Sequence, residues 1–141
     1  MDLNLQACIN QLGYGVVGLN LSLALNRKCH PALWFIGGVE APPRHHAALN
    51  EMRARASFFN PAAPSLRVYH QFDLAMHVGK GVHAAMPIFE LDRVKPVELH
   101  HLKAQDVVFA NSEWAAGVLR DNGIDGDVFY APLGVDATIF K

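Results

Sequence analysis

The 141-residue chain predicts an α/β domain with a mostly parallel sheet covered by helices on both faces. Three observations carry this. Apolar strand-like runs alternate with helix-like segments along most of the length, the pattern of a parallel sheet joined by crossover helices. A glycine-bearing loop follows the first run and leads into the first helix. The run Asp106–Ala110, "DVVFA", is short and apolar without alternation, as a strand buried on both faces should be.

Taken in order, Leu3, Leu5, Ala7 and Ile9 alternate with Asn4, Gln6, Cys8 and Asn10, a period-two strand. That alternation is cleaner than a fully buried parallel strand should show. "NQLGYGVVGLNLSLALNRK" reads as a loop running into a helix that ends near Asn26, and "PALWFIGG" as a second strand closed by two glycines. Pro43 suits a first helical turn, and Ala48, Met52 and Ala56 recur at i+4, so a helix follows. "NPAAP" breaks it. "SLRVYH" is a third strand, "HVGKGVH" a loop and "VHAAMPIFE" a fourth strand. Pro96 opens a short helix. In "NSEWAAGVLRDNG", Ser112 can cap the start and Gly123 can take the left-handed position after the end. "DVFYA" closes the series.

Composition narrows the function. The net charge of −1 offers no attraction to nucleic acid or an anionic membrane. No apolar run reaches the roughly 18 residues of a membrane span, and the N-terminus lacks a basic-then-apolar signal pattern. A cytoplasmic protein is expected, with Cys8 and Cys29 reduced and buried.

Gly13, Gly15 and Gly18 spell G-x-G-x-x-G between a strand and a helix. Glycines there let backbone approach a phosphate, while the helix start supplies free N–H donors and partial positive charge. A dinucleotide (NAD or FAD) module would also want an acidic residue at the end of the second strand. Gly37-Gly38 stand at that place, with Glu40 beyond them.

The second half carries a more specific pattern. Glu90, Asp92 and Arg93 end a strand, and Ser112 and Trp114 open a helix that closes on Gly123. Pro132, Gly134, Val135, Asp136 and Phe140 follow a last strand. In this order they resemble the N-terminal domain of a GT-B glycosyltransferase of the family 4 type. The likeness spans about the last 55 residues, is weaker over the first strand and glycine loop, and hardly touches residues 39–65. It implies a Rossmann-like three-layer α/β/α sandwich over residues 1–133, then the start of an interdomain linker over 134–141. It further implies that a missing C-terminal domain holds most nucleotide-sugar contacts. This domain would shape the acceptor side, with Gly13, Tyr14 and Gly15 turned toward the donor diphosphate and no bound metal. The alternatives are a small dinucleotide-binding module and a non-catalytic interaction domain.

Ligands of open α/β sheets bind beyond the carboxyl ends of the strands. There His70 is the candidate catalytic group, a histidine able to exchange a proton near neutrality. Glu90 and Ser112 are candidate acceptor or donor contacts, and Lys80, in "GKG", a candidate phosphate contact. Ser112 is also a helix cap and Lys80 a turn residue. His45-His46 and His100-His101 are helix neighbours about 100 degrees apart and cannot chelate together, so no metal is expected. His77 and His83 flank a glycine turn and can approach each other. The face meant for the missing domain predicts a homo-oligomer.

Overall fold

The structure, a computed structural model, describes residues 1–124 and 126–135. Among them, β1 (Asp2–Ile9) is followed by α1 (Gly13–Asn26), β2 (His30–Val39), α2 (His46–Arg55), β3 (Ser65–Val68) and β4 (His83–Ala85). Then come α3 (Pro96–Lys103), β5 (Val107–Ala110), α4 (Glu113–Asp121) and β6 (Asp127–Tyr130). Single 3-10 turns flank α2 at Pro43–His45 and Ala56–Phe58, so the proline starts the helical stretch as its fixed φ favours.

All strand pairs are parallel, and the sheet order is β2-β1-β3-β4-β5-β6. This is a Rossmann-like α/β fold. The chain leaves β1 toward β2 on one side and returns to β3 on the other. The direction of winding therefore reverses between β1 and β3, which opens a crevice at their carboxyl ends.

Register assigns the side chains to two faces. Leu5 lies beside Leu33 and Leu66, and Leu66 beside Ala84. This face gathers Leu5, Ile9, Leu33 and Val68 with the α2 residues Leu49 and Met52, against the leucines of α1. Gln6, Arg67, Ala85 and Val108 form the neighbouring row. On that face Ala85, Val108 and Ala110 pack with Leu102 of α3 and Leu119 of α4. Each fully buried leucine contributes about 2 kcal/mol.

β1 resolves the excess of alternation. It is central and buried on both faces, its polar residues included: Asn4 is 1% exposed and donates through Nδ2 to Asn60 O at 3.0 Å. A polar side chain in a central strand is tolerable when a loop carbonyl meets it.

Three expected boundaries move. The glycine loop is shorter than the sequence indicated, because Gly13, Gly15 and Gly18 all lie within α1. β2 does not stop at its glycines but runs on to Val39. Its register against β1 jumps from Ala7 beside Phe35 to Ile9 beside Val39, and Gly37, at φ +77°, absorbs the bulge. The fourth strand is shorter than "VHAAMPIFE", with only His83–Ala85 in the ladder.

α4 matches its sequence signals. Ser112 Oγ accepts from Ala115 N at 3.0 Å, and Gly123 adopts φ +77° beyond the C-terminus. After β6, Pro132, Gly134 and Val135 are exposed without regular structure; Asp136 and Phe140 lie outside the described residues.

Candidate functional site

The crevice between β1 and β3 is built from three segments. The first is the start of α1. Leu12 is its N-cap without a side-chain cap, and no acidic residue occupies the first turn. The opening N–H groups at Gly13, Tyr14 and Gly15 have no intrahelical acceptor, and the positive end of the helix dipole is uncompensated; Gly13 is exposed and Gly15 is buried against Asn10. A side chain at Gly13 would meet nothing within 4 Å, so a ligand can reach the backbone. Gly15 has a different reason: a Cβ there would lie 2.1 Å from Asn10 Oδ1. Gly18 lets α1 press onto β1, where a Cβ would sit 2.0 Å from Cys8 O.

The second segment follows β3. His70 stacks on Phe72 with ring centres 4.9 Å apart and planes 13° apart, and its ring centre lies 4.2 Å from that of Tyr14. Arg67, buried in β3, steadies this turn. Its guanidinium pairs with Asp73 Oδ2 at 2.9 Å and donates to Asp73 O at 2.8 Å, while Asp73 N donates to His70 O at 3.0 Å.

The third segment follows β4. The Tyr14 hydroxyl donates to Ile88 O, tying the helix start to the stretch that carries Glu90. Burial pushes the Tyr14 phenol up to about 12, against the opposing effect of its bond to Ile88 O. Tyr14 therefore remains a neutral donor at physiological pH. Burial likewise raises the Cys8 thiol, on the strand beneath.

The structure thus brings Gly13, Tyr14, Gly15 and His70 together and leaves Glu90 exposed on the adjoining segment. Ser112 lies at the same end of the sheet, after β5, with its hydroxyl engaged in the cap. Lys80 is not among them. It precedes β4, its N–H donates to Pro61 O at 2.7 Å, and it stands at the amino ends of the strands. The turn containing it serves the packing of two loops, since a Cβ at Gly81 would meet Ala63 O at 2.4 Å.

Three contributors escaped sequence reading: Phe72, Arg67 and Tyr69, whose ring centre lies 5.8 Å from that of Tyr14 and 5.0 Å from that of His70. The density of rings in "VYHQF" directly after a strand is a signal that could have found Phe72 and Tyr69. A buried arginine leaves no such mark. Glu40 also gains standing: because β2 continues to Val39, Glu40 directly follows the strand, and its N–H donates to Ile9 O at 2.8 Å beside the glycine turn.

His77 and His83 do meet, with ring centres 4.0 Å apart and planes 7° apart, at the amino ends of the strands. Among the described residues no group of three or more His, Cys, Asp or Glu is arranged to hold a metal ion, and no helix is long and apolar enough to cross a membrane. No protein-family model matches the chain, and no curated protein matches it in sequence.

Proposed function

We propose that the β1–β3 crevice takes the diphosphate of a nucleotide sugar, and that the chain is the acceptor-side half of a two-domain glycosyltransferase. The observation that carries this reading is the bare, glycine-lined start of α1 at the switch point, next to the ring of His70, whose nitrogens make no hydrogen bond among the described residues. Free N–H groups and the helix dipole favour a phosphate there. His70 accepts the proton of an acceptor hydroxyl while that oxygen bonds to the anomeric carbon. The bond from that carbon to the diphosphate oxygen breaks, and the diphosphate leaves with the electron pair toward the N–H groups. Glu90, exposed beside the crevice, accepts hydrogen bonds from acceptor hydroxyls. The same end of the sheet exposes Leu12, Leu91, Trp114 and Leu133. These apolar side chains suit a facing domain or a second copy of the chain.

A second reading has its own support. The close approach permitted by Gly18 and the position of Glu40 after β2 are what a dinucleotide site uses for helix packing and ribose binding. Calorimetric titration of the chain with UDP-glucose, GDP-mannose and NAD separates the two. The first reading expects a nucleotide sugar to bind, with loss in Gly13→Val and no change in Glu40→Ala. Preferential NAD binding lost in Glu40→Ala replaces it with the second. Absence of binding by all three overturns the dinucleotide reading; the half-enzyme reading, in which a facing domain holds most nucleotide-sugar contacts, expects at most weak binding here and is overturned by a nucleotide-sugar affinity that Gly13→Val leaves unchanged. Rapid sugar transfer by these 141 residues alone would contradict the half-enzyme reading.

A further inference from the structure

Two phenylalanines follow each other after α2, and the fold treats them differently. Phe59 meets Trp34 edge-on, with ring centres 5.3 Å apart. Phe58 closes the 3-10 turn Ala56–Phe58 and is 92% exposed, more than any other large apolar side chain among the described residues. A phenyl ring left in water forgoes one of the largest apolar burials a side chain offers.

Beside it a cavity of about 460 Å³ opens at the amino ends of β1 and β2, the end of the sheet opposite the crevice. Its apolar lining comes from Leu3, Ala32, Ala54 and Phe59, and Phe58 stands at its lip. A space of about 150 Å³ already takes a benzene molecule, so this one has room for a phenyl ring. The projecting ring and the space able to hold a ring therefore belong to one patch, yet the ring of the described chain does not fill it.

Such a patch is complementary to itself. A twofold axis between ring and cavity sends the ring of each copy into the cavity of the other, and every contact is made twice. A small apolar ligand would use the cavity and leave the ring in water, whereas a second copy uses both. The charges of the rim agree. Asp2 and Glu51 stand there with Arg55 and His30. With both signs present, no field of one sign holds two copies apart, and the net charge of −1 adds little repulsion.

We propose that this face joins two copies of the chain in a twofold dimer, the Phe58 ring of each occupying the cavity of the other. The face lies at the far end of the strands from the crevice and does not depend on its function. One ring and one cavity per copy make a contact of the weak, reversible class, with a dissociation constant on the order of 10 µM.

Sedimentation velocity of the full chain, run from well below to well above that concentration, should show a monomer passing into a dimer. Phe58→Ala should weaken association at least about tenfold, with thermal unfolding of the dilute chain unchanged because the ring is exposed. Ala54→Arg keeps the ring but crowds the cavity from an exposed position of its lining, and should weaken association as much. Trp34 fluorescence should change with concentration in the parent chain and not in Phe58→Ala, because Phe59 links the cavity to the indole. Trp114→Ala, at the carboxyl end of the sheet, should leave association as it is. A chain monomeric at every concentration, an association indifferent to Phe58→Ala or to Ala54→Arg, or one abolished by Trp114→Ala would overturn the proposal.

Discussion

The two faces of β1 are held by different means. On one, Leu3, Leu5, Ala7 and Ile9 pack beneath α1, and Gly18 brings helix and strand into backbone contact. On the other, Asn4 and Gln6 share rows with Ser65, His83 and Arg67, and the loop between β3 and β4 is tied down by hydrogen bonds. The first face is a matter of shape and apolar area. The second is polar and incompletely satisfied: Gln6 Oε1, Ser65 Oγ, both nitrogens of His77 and His83 Nε2 are buried without partners among the described residues. One face should therefore fail through steric change and ignore pH, while the other should respond to charge.

Gly18→Val is the harshest way to break the comparison. Its Cβ would overlap Cys8 O, a backbone atom that cannot yield, so the substitution should destabilise by about 3 kcal/mol, read from urea midpoints. Arg67→Met attacks the other face. It removes the Asp73 pair and the carbonyl bond, and because Asp73 keeps solvent contact the loss should be about 2 kcal/mol. Its turn also carries His70, so ligand binding at the crevice should weaken with stability.

The pH response sharpens the contrast. Burial lowers the His77 pKa, and the neighbouring His83 lowers it further. Below its ordinary value of about 6.5 the unfolded chain binds the proton before the folded one. The contribution is thus fully present above pH 6.5 and is lost as pH falls from there toward the lowered folded value. Thermal unfolding should show a decline over that window, and His77→Phe should flatten it. A Gly18→Ala variant, weakened on the other face, should retain the same slope. Gly13→Ala should have the smallest effect. Nothing lies within 4 Å, and alanine favours a helix, so stability should stay within about 0.5 kcal/mol. Equal losses at Gly13 and Gly18 would refute the division between an open and a packed glycine.

Legibility followed the same division. Apolar periodicity located the strands and helices, and local capping rules located Ser112 and Gly123, because neither depends on distant residues. The glycine pattern marked the crevice but not the separate duties of its glycines. Lys80 lies apart from the other candidates because a loop's position in sequence does not reveal which end of the sheet it occupies. Here the bond to Pro61 O decides that. The position of Glu40 directly after β2 was not legible because glycines in a strand resemble an ending, whereas a bulge carries the ladder past them.

By itself the sequence determined an α/β chain, its alternation of elements and the local signals that begin and end the helices. Those are short-range properties of propensity, periodicity and backbone freedom. Only the tertiary structure decided that β1 lies at the switch point with polar residues buried on one face. It alone set Tyr14 against His70 and Ile88, sent Lys80 to the far end, and stacked His77 on His83. The physical reason is that burial and pairing arise from contacts between residues far apart in the chain, and the strand order that creates those contacts is not written in any one segment.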